Sequence, residues 1–232
     1  MDMINLMNRN SMHKAPRLRK DMGIYGKQAY QYARWTRADM EEYAKLAQKI
    51  AGLVNEGDHI LEVASGPGYT LIELARLGSY HLTAMDISST FVEIGKANVK
   101  EAGLNIDFLE GNVSRIPFEE NHFDFIVNRA AFKNFREPVT ALKEMYRVLN
   151  SGGKILIQDL RPDAPAREIN KYINRMKASF FQKLVQKIIF HLFLTRAAHS
   201  REEFEQFLSQ AAITNYSIQE DHGIGYEIRI NK

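Results

Sequence analysis

The sequence predicts an α/β fold, in which a mainly parallel sheet of seven strands carries helices on both faces and ends in an antiparallel hairpin. Between residues 59 and 160, short apolar runs typical of strands alternate with segments whose apolar residues recur at helical spacing. Two further strand-like runs, 215–220 and 226–230, are separated by a short glycine-containing stretch. Such a short connection joins antiparallel strands, so these two runs should close the sheet as a hairpin.

The central elements can be placed one after another. An amphipathic helix is predicted at about 39–53, and the sequence Asn-Glu-Gly-Asp then breaks the chain. The predicted strands that follow are 59–64, 81–86, 106–110, 123–128 and 154–160. The predicted helices between them are 69–77, 89–102 and 138–149. Gly103 is expected to stop the second of these helices, Pro138 occupies the first turn of the third, and Asn150-Ser151-Gly152-Gly153 is a strong turn.

The last third of the chain has a different pattern. Residues 163–199 are predicted to be helical, because apolar residues recur there at helical spacing. The sequence Ser200-Arg201-Glu202-Glu203 is a capping box, which marks the start of a new helix. We therefore predict two parts: residues 1–38 form an N-terminal tail and possible lid, and residues 39–232 form one domain with a helical insertion at about 163–199.

Composition excludes several classes of function. The chain has 232 residues, 45% hydrophobic and 25% charged, which is typical of a soluble globular protein. Its formal net charge of +3 is too small to indicate a nucleic-acid partner. Part of that charge lies near the start and is interpreted either as a solvated tail or as a contact for an anionic substrate or RNA; the residues are Arg9, Lys14, Arg17, Arg19 and Lys20.

The absence of cysteine is equally informative. It excludes disulfides, thiolate metal sites and cysteine nucleophiles, and we predict no metal site. The longest apolar stretch, 184–194, is too short and too polar to span a membrane, since it contains Gln186, Lys187 and His191. We expect a cytoplasmic protein.

The loop after the first strand is the strongest functional signal. The strand ends at Ala64 and is followed by Ser65-Gly66-Pro67-Gly68, whose glycines let backbone N–H groups approach a ligand. In open α/β sheets, ligands bind beyond the carboxyl ends of the strands. Glu62 would offer a carboxylate to an ammonium group, and Asp86, at the end of the second strand, could accept hydrogen bonds from both ribose hydroxyls.

Two other nucleotide-binding motifs do not fit this loop. A dinucleotide fingerprint would need a third glycine where Leu71 stands. A P-loop would need Gly-Lys-Ser/Thr, which is absent. The loop therefore belongs to neither class.

Several stretches resemble class I S-adenosylmethionine-dependent methyltransferases. ILEVASGPG at 60–68 resembles their first motif, and LTAMDIS at 82–88 is similar to their second. EGNVSRIP at 110–117 is similar to the adenine-binding loop. FDFIVNRAAFKN at 123–134 and LKEMYRVLNSGGKILIQD at 142–159 resemble the fourth-strand and fifth-strand regions. The resemblance covers roughly residues 55–161, is strongest toward the ubiquinone/menaquinone-methyltransferase-like branch, and implies a Rossmann-like fold.

The resemblance implies S-adenosylmethionine as the cofactor and assigns residues to it. Glu62 would lie by the methionine part, Asp86 would bind the ribose, and Asn112 would accept from the adenine amino group. The full predicted set is Glu62, Ala64, Ser65, Gly66, Gly68, Asp86, Ile87, Ser88, Asn112, Val113, Asn128 and Arg129. Ala64 and Asn112 depart from the glycine and aspartate that the family usually has at these positions.

The catalytic group is left open. Methyl transfer needs alignment and exclusion of water, and needs a base only when the nucleophile carries a proton. The candidates are Asp159, Tyr25 and Arg129. Many relatives have histidines where this chain has Lys133 and Asn134, which puts base catalysis from that loop in doubt. Other side chains that could reach the site, each more readily explained as structural, are Tyr30, His191, His199 and His222.

Two segments are left with alternative interpretations. The aromatic stretch 25–35 is either a helix packed on the sheet edge or a lid. The aromatic and apolar residues of the insertion form a substrate pocket, a core or a dimer face; they are Phe180, Phe181, Phe190, Leu192 and Phe193. The predicted function is methyl transfer to a small-molecule acceptor, with a homodimer left open. The alternatives are a tRNA- or protein-modifying methyltransferase and a protein that binds S-adenosylmethionine without transferring methyl.

Overall fold

The computed structural model describes residues 23–176 and 178–232, and a seven-stranded sheet runs through them. The strands are β1 (His59–Val63), β2 (His81–Asp86), β3 (Asp107–Glu110), β4 (Phe123–Arg129), β5 (Leu149–Leu160), β6 (Tyr216–Asp221) and β7 (Gly225–Asn231). Their order is β3-β2-β1-β4-β5-β7-β6. Strands β1 to β5 are parallel, and β7 lies antiparallel between β5 and β6. The predicted fold class is confirmed.

The helices cover both faces of this sheet. They are α1 (Gly26–Thr36), α2 (Met40–Ala51), α3 (Tyr69–Leu74), α4 (Ser89–Ala102), α5 (Pro138–Val148), α6 (Ala166–Arg175), α7 (Phe180–Ile189), α8 (Thr195–Ala197) and α9 (Arg201–Gln210). One core joins α2, α3 and α4 to a face of the sheet that includes Ile60 and Val127. The other joins α5 and α9 to the opposite face, which includes Leu61 and Ile126. Neighbouring strand residues point to opposite faces, so both cores are built from the same strands.

The insertion after β5 is helical as predicted, but it is divided into pieces. Helix α6 ends at Arg175, and Ser179 caps a new helix, α7. A π-helical turn, Phe190–Leu194, continues α7 into the short α8. The side chain of Ser179 accepts from the backbone N of Gln182, and the Gln182 side chain accepts from the backbone N of Ser179. This capping box explains where the insertion divides.

Two other boundaries differ from the predictions. Helix α3 ends at Leu74 and is followed by turns rather than continuing to residue 77. Strand β5 begins at Leu149, before the predicted turn at 150–153. Its pairing with β4 jumps from Phe123–Leu149 to Phe125–Lys154, so the predicted turn is an irregularity within the strand.

The structure describes the N-terminal part from Gly23 onward, and the rest of the predicted tail, with its basic residues, lies outside the described residues. Helix α1 packs Ala29 and Ala33 against Phe91 and Ile94 of α4. The predicted tail and possible lid therefore includes a packed helix. Across the described residues, every helix is too short or too polar to cross a membrane.

Candidate functional site

A cavity of about 670 Å³ opens at the carboxyl ends of the parallel strands. Of the predicted cofactor-binding residues, those in its wall are Ala64, Gly66, Asp86, Ile87, Asn112, Val113 and Arg129. Asp159, at the end of β5, lies in the same wall. The volume is in the range of small-molecule sites, and the position is where open α/β sheets bind ligands.

The loop after β1 is held open toward this cavity. Gly66 has a φ of 53°, and no heavy atom lies within 4 Å of the position that a Cβ would take there. A ligand can therefore approach the Gly66 backbone without obstruction. Ala64 has a φ of 55°, a left-handed conformation that costs an alanine about 1–2 kcal/mol.

Asp86 joins the first loop to the start of α4. Its Oδ2 accepts from the backbone N of Gly66 at 2.8 Å, and its Oδ1 accepts from the backbone N of Ser88 at 2.9 Å. Burial raises the pKa of Asp86, while these backbone donors oppose that shift. Each carboxylate oxygen keeps a second lone pair, so the side chain can still accept from two ribose hydroxyls.

Glu62 is a buried carboxylate with an unsatisfied oxygen. The residue is 3% exposed, and its Oε2 has no hydrogen-bond partner. Burial raises the pKa of Glu62 to about 7, although the nearby Arg129 favours the charged form. A buried carboxylate oxygen without a hydrogen-bond partner is costly, and the charge of a ligand ammonium group would offset that cost.

Three features together fit an ammonium-bearing nucleoside ligand. They are the open Gly66 backbone, the spare acceptor sites of Asp86 and the unsatisfied oxygen of Glu62. Asn112 keeps only part of its predicted acceptor capacity, since its Oδ1 accepts from the backbone N of Ser114 at 2.8 Å. It can accept a second hydrogen bond from an adenine amino group.

Five predicted residues are not found in the cavity wall; they are Glu62, Ser65, Gly68, Ser88 and Asn128. Gly68 is packed so closely that a Cβ would lie 2.3 Å from Cζ of Phe108. Ser88 donates to the carbonyl of Ile24 at 2.5 Å and caps α4. The structure therefore gives Gly68 and Ser88 packing and capping contacts behind the predicted binding surface.

Asn128 connects the two central strands behind this wall. Its Nδ2 donates to the carbonyl of Val63 at 2.9 Å, and its Oδ1 has no hydrogen-bond partner. This cross-strand bond holds the end of β4 beside the loop after β1.

Arg129 is the centre of a polar and aromatic cluster that the sequence did not predict. Its Nη2 lies 3.3 Å from Oδ2 of Asp39, and its guanidinium lies 4.1 Å from the ring centroid of Tyr43. Tyr172 of α6 donates to the same Asp39 oxygen at 2.8 Å. Burial raises the pKa of Asp39, and Arg129 opposes that shift. The cluster places a carboxylate and a phenol in the cavity wall.

Asp159 forms a buried ion pair with Lys133. The Nζ of Lys133 donates to Oδ1 of Asp159 at 2.9 Å, and both side chains are almost fully buried. The backbone N of Lys133 donates to Oδ2, and the backbone N of Leu160 donates to Oδ1. These contacts fix the turn after β4. A catalytic role for Asp159 stays a prediction.

The remaining catalytic candidates occupy different positions. Tyr25 donates to the carbonyl of Ile87 at 3.0 Å and is not in the cavity wall, so it ties the N-terminal segment to the loop after β2. Of the other candidates, His222 lies in the wall, Tyr30 is exposed and His199 is buried. Helix α1 also contributes Tyr32 and Trp35 to the wall.

Comparison with known proteins identifies the group to which this architecture is similar. Residues 61–157 match the family model described as a methyltransferase domain. A demethylmenaquinone methyltransferase of Listeria welshimeri is 30% identical over 139 residues, which cover 56% of this chain and 59% of the relative. The corresponding protein of Staphylococcus haemolyticus is 31% identical over 154 residues, covering 66% of this chain and 60% of the relative.

The structural comparison covers more of the chain. A solved structure from Methanococcus maripaludis, assigned to the S-adenosylmethionine-dependent methyltransferases, superposes with a TM-score of 0.69 and 25% identity. The match covers 91% of this chain and 94% of that one. By contrast, the chain spans about three fifths of the length of the first curated relatives it matches.

Proposed function

We propose, from the premise that this chain carries a class I S-adenosylmethionine-dependent methyltransferase domain of the ubiquinone/menaquinone-methyltransferase-like branch, that it transfers a methyl group to a small-molecule acceptor. The observation that carries the proposal is the cavity itself. It brings the open Gly66 loop and Asp86 to the same wall as the Arg129 cluster. One side of the cavity thus suits the cofactor and the other an acceptor.

The cofactor side is proposed to use the ends of β1, β2 and β3. Asp86 would accept from the ribose hydroxyls, with Ile87 and Asn112 beside the adenine. Glu62 would compensate the ammonium charge from behind the wall, through its own negative charge. When bound, S-adenosylmethionine supplies an electrophilic methyl group.

The acceptor side is proposed to lie under α1, α2 and the insertion. Its wall is rich in aromatic rings, namely Tyr32, Trp35, Tyr43, Tyr172 and Phe190. Asp39 and Tyr172 add a polar contact among these rings. Such a wall suits an acceptor with a flat or apolar body and one polar group, in keeping with the quinone-related names of the relatives.

The chain's contribution to the reaction is alignment and exclusion of water. The aromatic walls would hold the acceptor against the cofactor side, and α1 and α6 would separate the reacting atoms from solvent. Asp39 is placed to orient a hydroxyl of the acceptor or to receive its proton. A cytoplasmic location and a homodimer stay predictions from the sequence.

The ribose assignment is tested by Asp86→Ala. We expect at least about tenfold weaker binding of S-adenosylmethionine, because two ribose hydroxyls would lose their acceptor. Isothermal titration calorimetry measures the affinity, with Asp107→Ala, at the exposed start of β3, as a matched carboxylate control. Unchanged affinity in Asp86→Ala would contradict the ribose assignment.

The acceptor class is tested by incubating the protein with methyl-labelled S-adenosylmethionine and a cell extract. The proposal predicts label in small molecules, resolved by mass spectrometry. Label found only in RNA or protein would support a macromolecule-modifying enzyme instead. Tight cofactor binding without transfer to any fraction would support a binding protein.

A further inference from the structure

Helix α7 and the π-helical turn after it expose a group of large apolar side chains, which we call the insertion face. Phe180 is 85% exposed and Phe181 is 71% exposed. The other large apolar side chains exposed in this segment are Leu184, Ile188, Leu192 and Phe193. Phe180, Phe181, Leu184 and Ile188 follow i, i+1, i+4 and i+8 spacing, which places them on one side of the helix.

The opposite side of the same segment faces the cavity. Gln186, Ile189, Phe190 and Leu194 line the cavity wall. The segment is therefore apolar both inside and outside, and the cavity accounts for only one of these two surfaces. Soluble monomers rarely expose apolar patches of this kind without a binding partner.

The charged residues within the sequence of the insertion from Ile169 onward have a single sign. Between Ile169 and Arg201 the sequence contains no aspartate or glutamate. It contains seven basic residues, which are Lys171, Arg175, Lys177, Lys183, Lys187, Arg196 and Arg201. Within the described part of the segment, Arg196 is exposed and Lys187 is partly exposed.

We propose that the insertion face docks on an anionic phospholipid bilayer. Exposed phenylalanine and leucine side chains, flanked by lysine and arginine, are typical of helices that lie in the plane of a membrane surface. The basic residues complement anionic lipid headgroups. A second copy of this chain would instead bring two positively charged segments together. The docked helix lies along the surface, in agreement with the absence of any described helix that could cross a membrane.

This docking would place helix α7, whose other side lines the cavity, against the lipid. If the proposed methyl transfer holds, an acceptor dissolved in the membrane could pass along α7 into the aromatic side of the cavity. Only this step rests on the proposed function. Docking itself stands on the exposed face and its charge, and can be measured without any turnover.

The test is flotation of the full chain with vesicles made of equal parts phosphatidylglycerol and phosphatidylcholine. We expect binding to these vesicles and much weaker binding to pure phosphatidylcholine. Phe180→Ser/Phe181→Ser should lower the vesicle affinity at least tenfold. Leu77→Ser, which alters an exposed apolar residue at the end of the α3 region, should leave it unchanged.

Charge variants keep the proposal testable if the double serine variant folds poorly. Lys187→Gln and Arg196→Gln should each weaken binding to the anionic vesicles about fivefold. Circular dichroism and S-adenosylmethionine affinity, measured beside flotation, report whether each variant is folded. Vesicle binding that is absent, or equal for all variants, would overturn the proposal. A second outcome would also overturn it: the wild-type chain does not bind vesicles but forms a dimer in sedimentation velocity, and the Phe180→Ser/Phe181→Ser variant is monomeric.

Discussion

At the scale of single residues, three carboxylates around the cavity differ in how completely hydrogen bonds and opposite charges compensate them. Asp159 has Lys133 and two backbone donors. Asp39 has Arg129 and Tyr172. Glu62 has an oxygen without a partner. A buried carboxylate kept in this condition lowers folding stability, and we propose that the charge of a positively charged ligand group compensates it.

Glu62→Gln tests how much the buried Glu62 carboxylate lowers folding stability. Because the folded-state pKa of about 7 lies above the usual glutamate value of 4.5, folded protein retains the proton longer than unfolded protein. Stability should therefore fall as pH rises from about 4.5 to 7, with the full cost present above 7. At pH 8, Glu62→Gln should raise the free energy of unfolding by up to about 3 kcal/mol. Urea unfolding measures this, and Glu93→Gln on the exposed side of α4 is the control.

The same substitution should have the opposite effect on the ligand. S-adenosylmethionine affinity should decrease in Glu62→Gln, because the carboxylate that compensates the ammonium group is gone. In the wild-type chain the affinity should weaken as pH falls below about 7, and the variant should lose that dependence. Calorimetry across this pH range checks both expectations. A variant that is more stable and binds equally well would show that Glu62 does not serve the cofactor.

At the scale of elements, local sequence signals located most boundaries. Gly103 ends α4 with a φ of 67°, Pro138 begins α5, and Ser200 and Glu203 form the predicted capping box of α9. The division of the insertion was missed, although Ser179 and Gln182 form a capping box of the same kind. Continuous apolar periodicity across residues 169–192 concealed it, since the period of a helix does not reveal a change in its direction.

Ser200→Ala measures how much the α9 cap contributes. The Ser200 side chain accepts from the backbone N of Glu203 at 3.2 Å. Losing this acceptor should lower the free energy of unfolding by about 1 kcal/mol. Chemical denaturation compares it with Ser209→Ala, an exposed serine near the end of the same helix. Equal stability of the two variants would mean that packing of Phe204 and Leu208 alone holds α9 in place.

At the scale of the whole molecule, the sequence predicted the sheet and one part of the cavity wall, the loop after β1 with Asp86, better than the rest of that wall. The loop after β1 and Asp86 belong to compact motifs, so their spacing was visible in the sequence. The cluster around Arg129 joins Asp39, Tyr43 and Tyr172, which come from α6 and the region of α2. Contacts between residues this far apart in the chain depend on the packing of whole elements, which local patterns do not specify.

The N-terminal segment also combines features that the sequence predicted with contacts that depend on the packing of whole elements. Its aromatic content suggested either a lid or a packed helix; the packing is observed, and a lid stays a prediction. Ala29 and Ala33 are packed on α4, while Tyr32 and Trp35 face the cavity. Hydrogen bonds from Tyr25 to Ile87 and from Gly26 to Thr90 attach the start of this helix to the cofactor side. We therefore expect ligand binding to change the surroundings of α1.

Because Trp35 lies in the cavity wall, its fluorescence can be used to measure this change. It is the only tryptophan of the chain, and it is 40% exposed in the cavity wall. An acceptor that displaces water from this ring should shift its emission to shorter wavelength. S-adenosylmethionine should also change the emission, through helix α1, because Tyr25 and Gly26 attach its start to Ile87 and Thr90. Titration with S-adenosylmethionine would then give a binding curve without any attached dye, and Asp86→Ala should move that curve to higher concentration. An emission spectrum that stays constant at saturation measured by calorimetry would contradict a closed cavity around Trp35. The protein thus carries its own optical reporter, suited to screening acceptor candidates one by one.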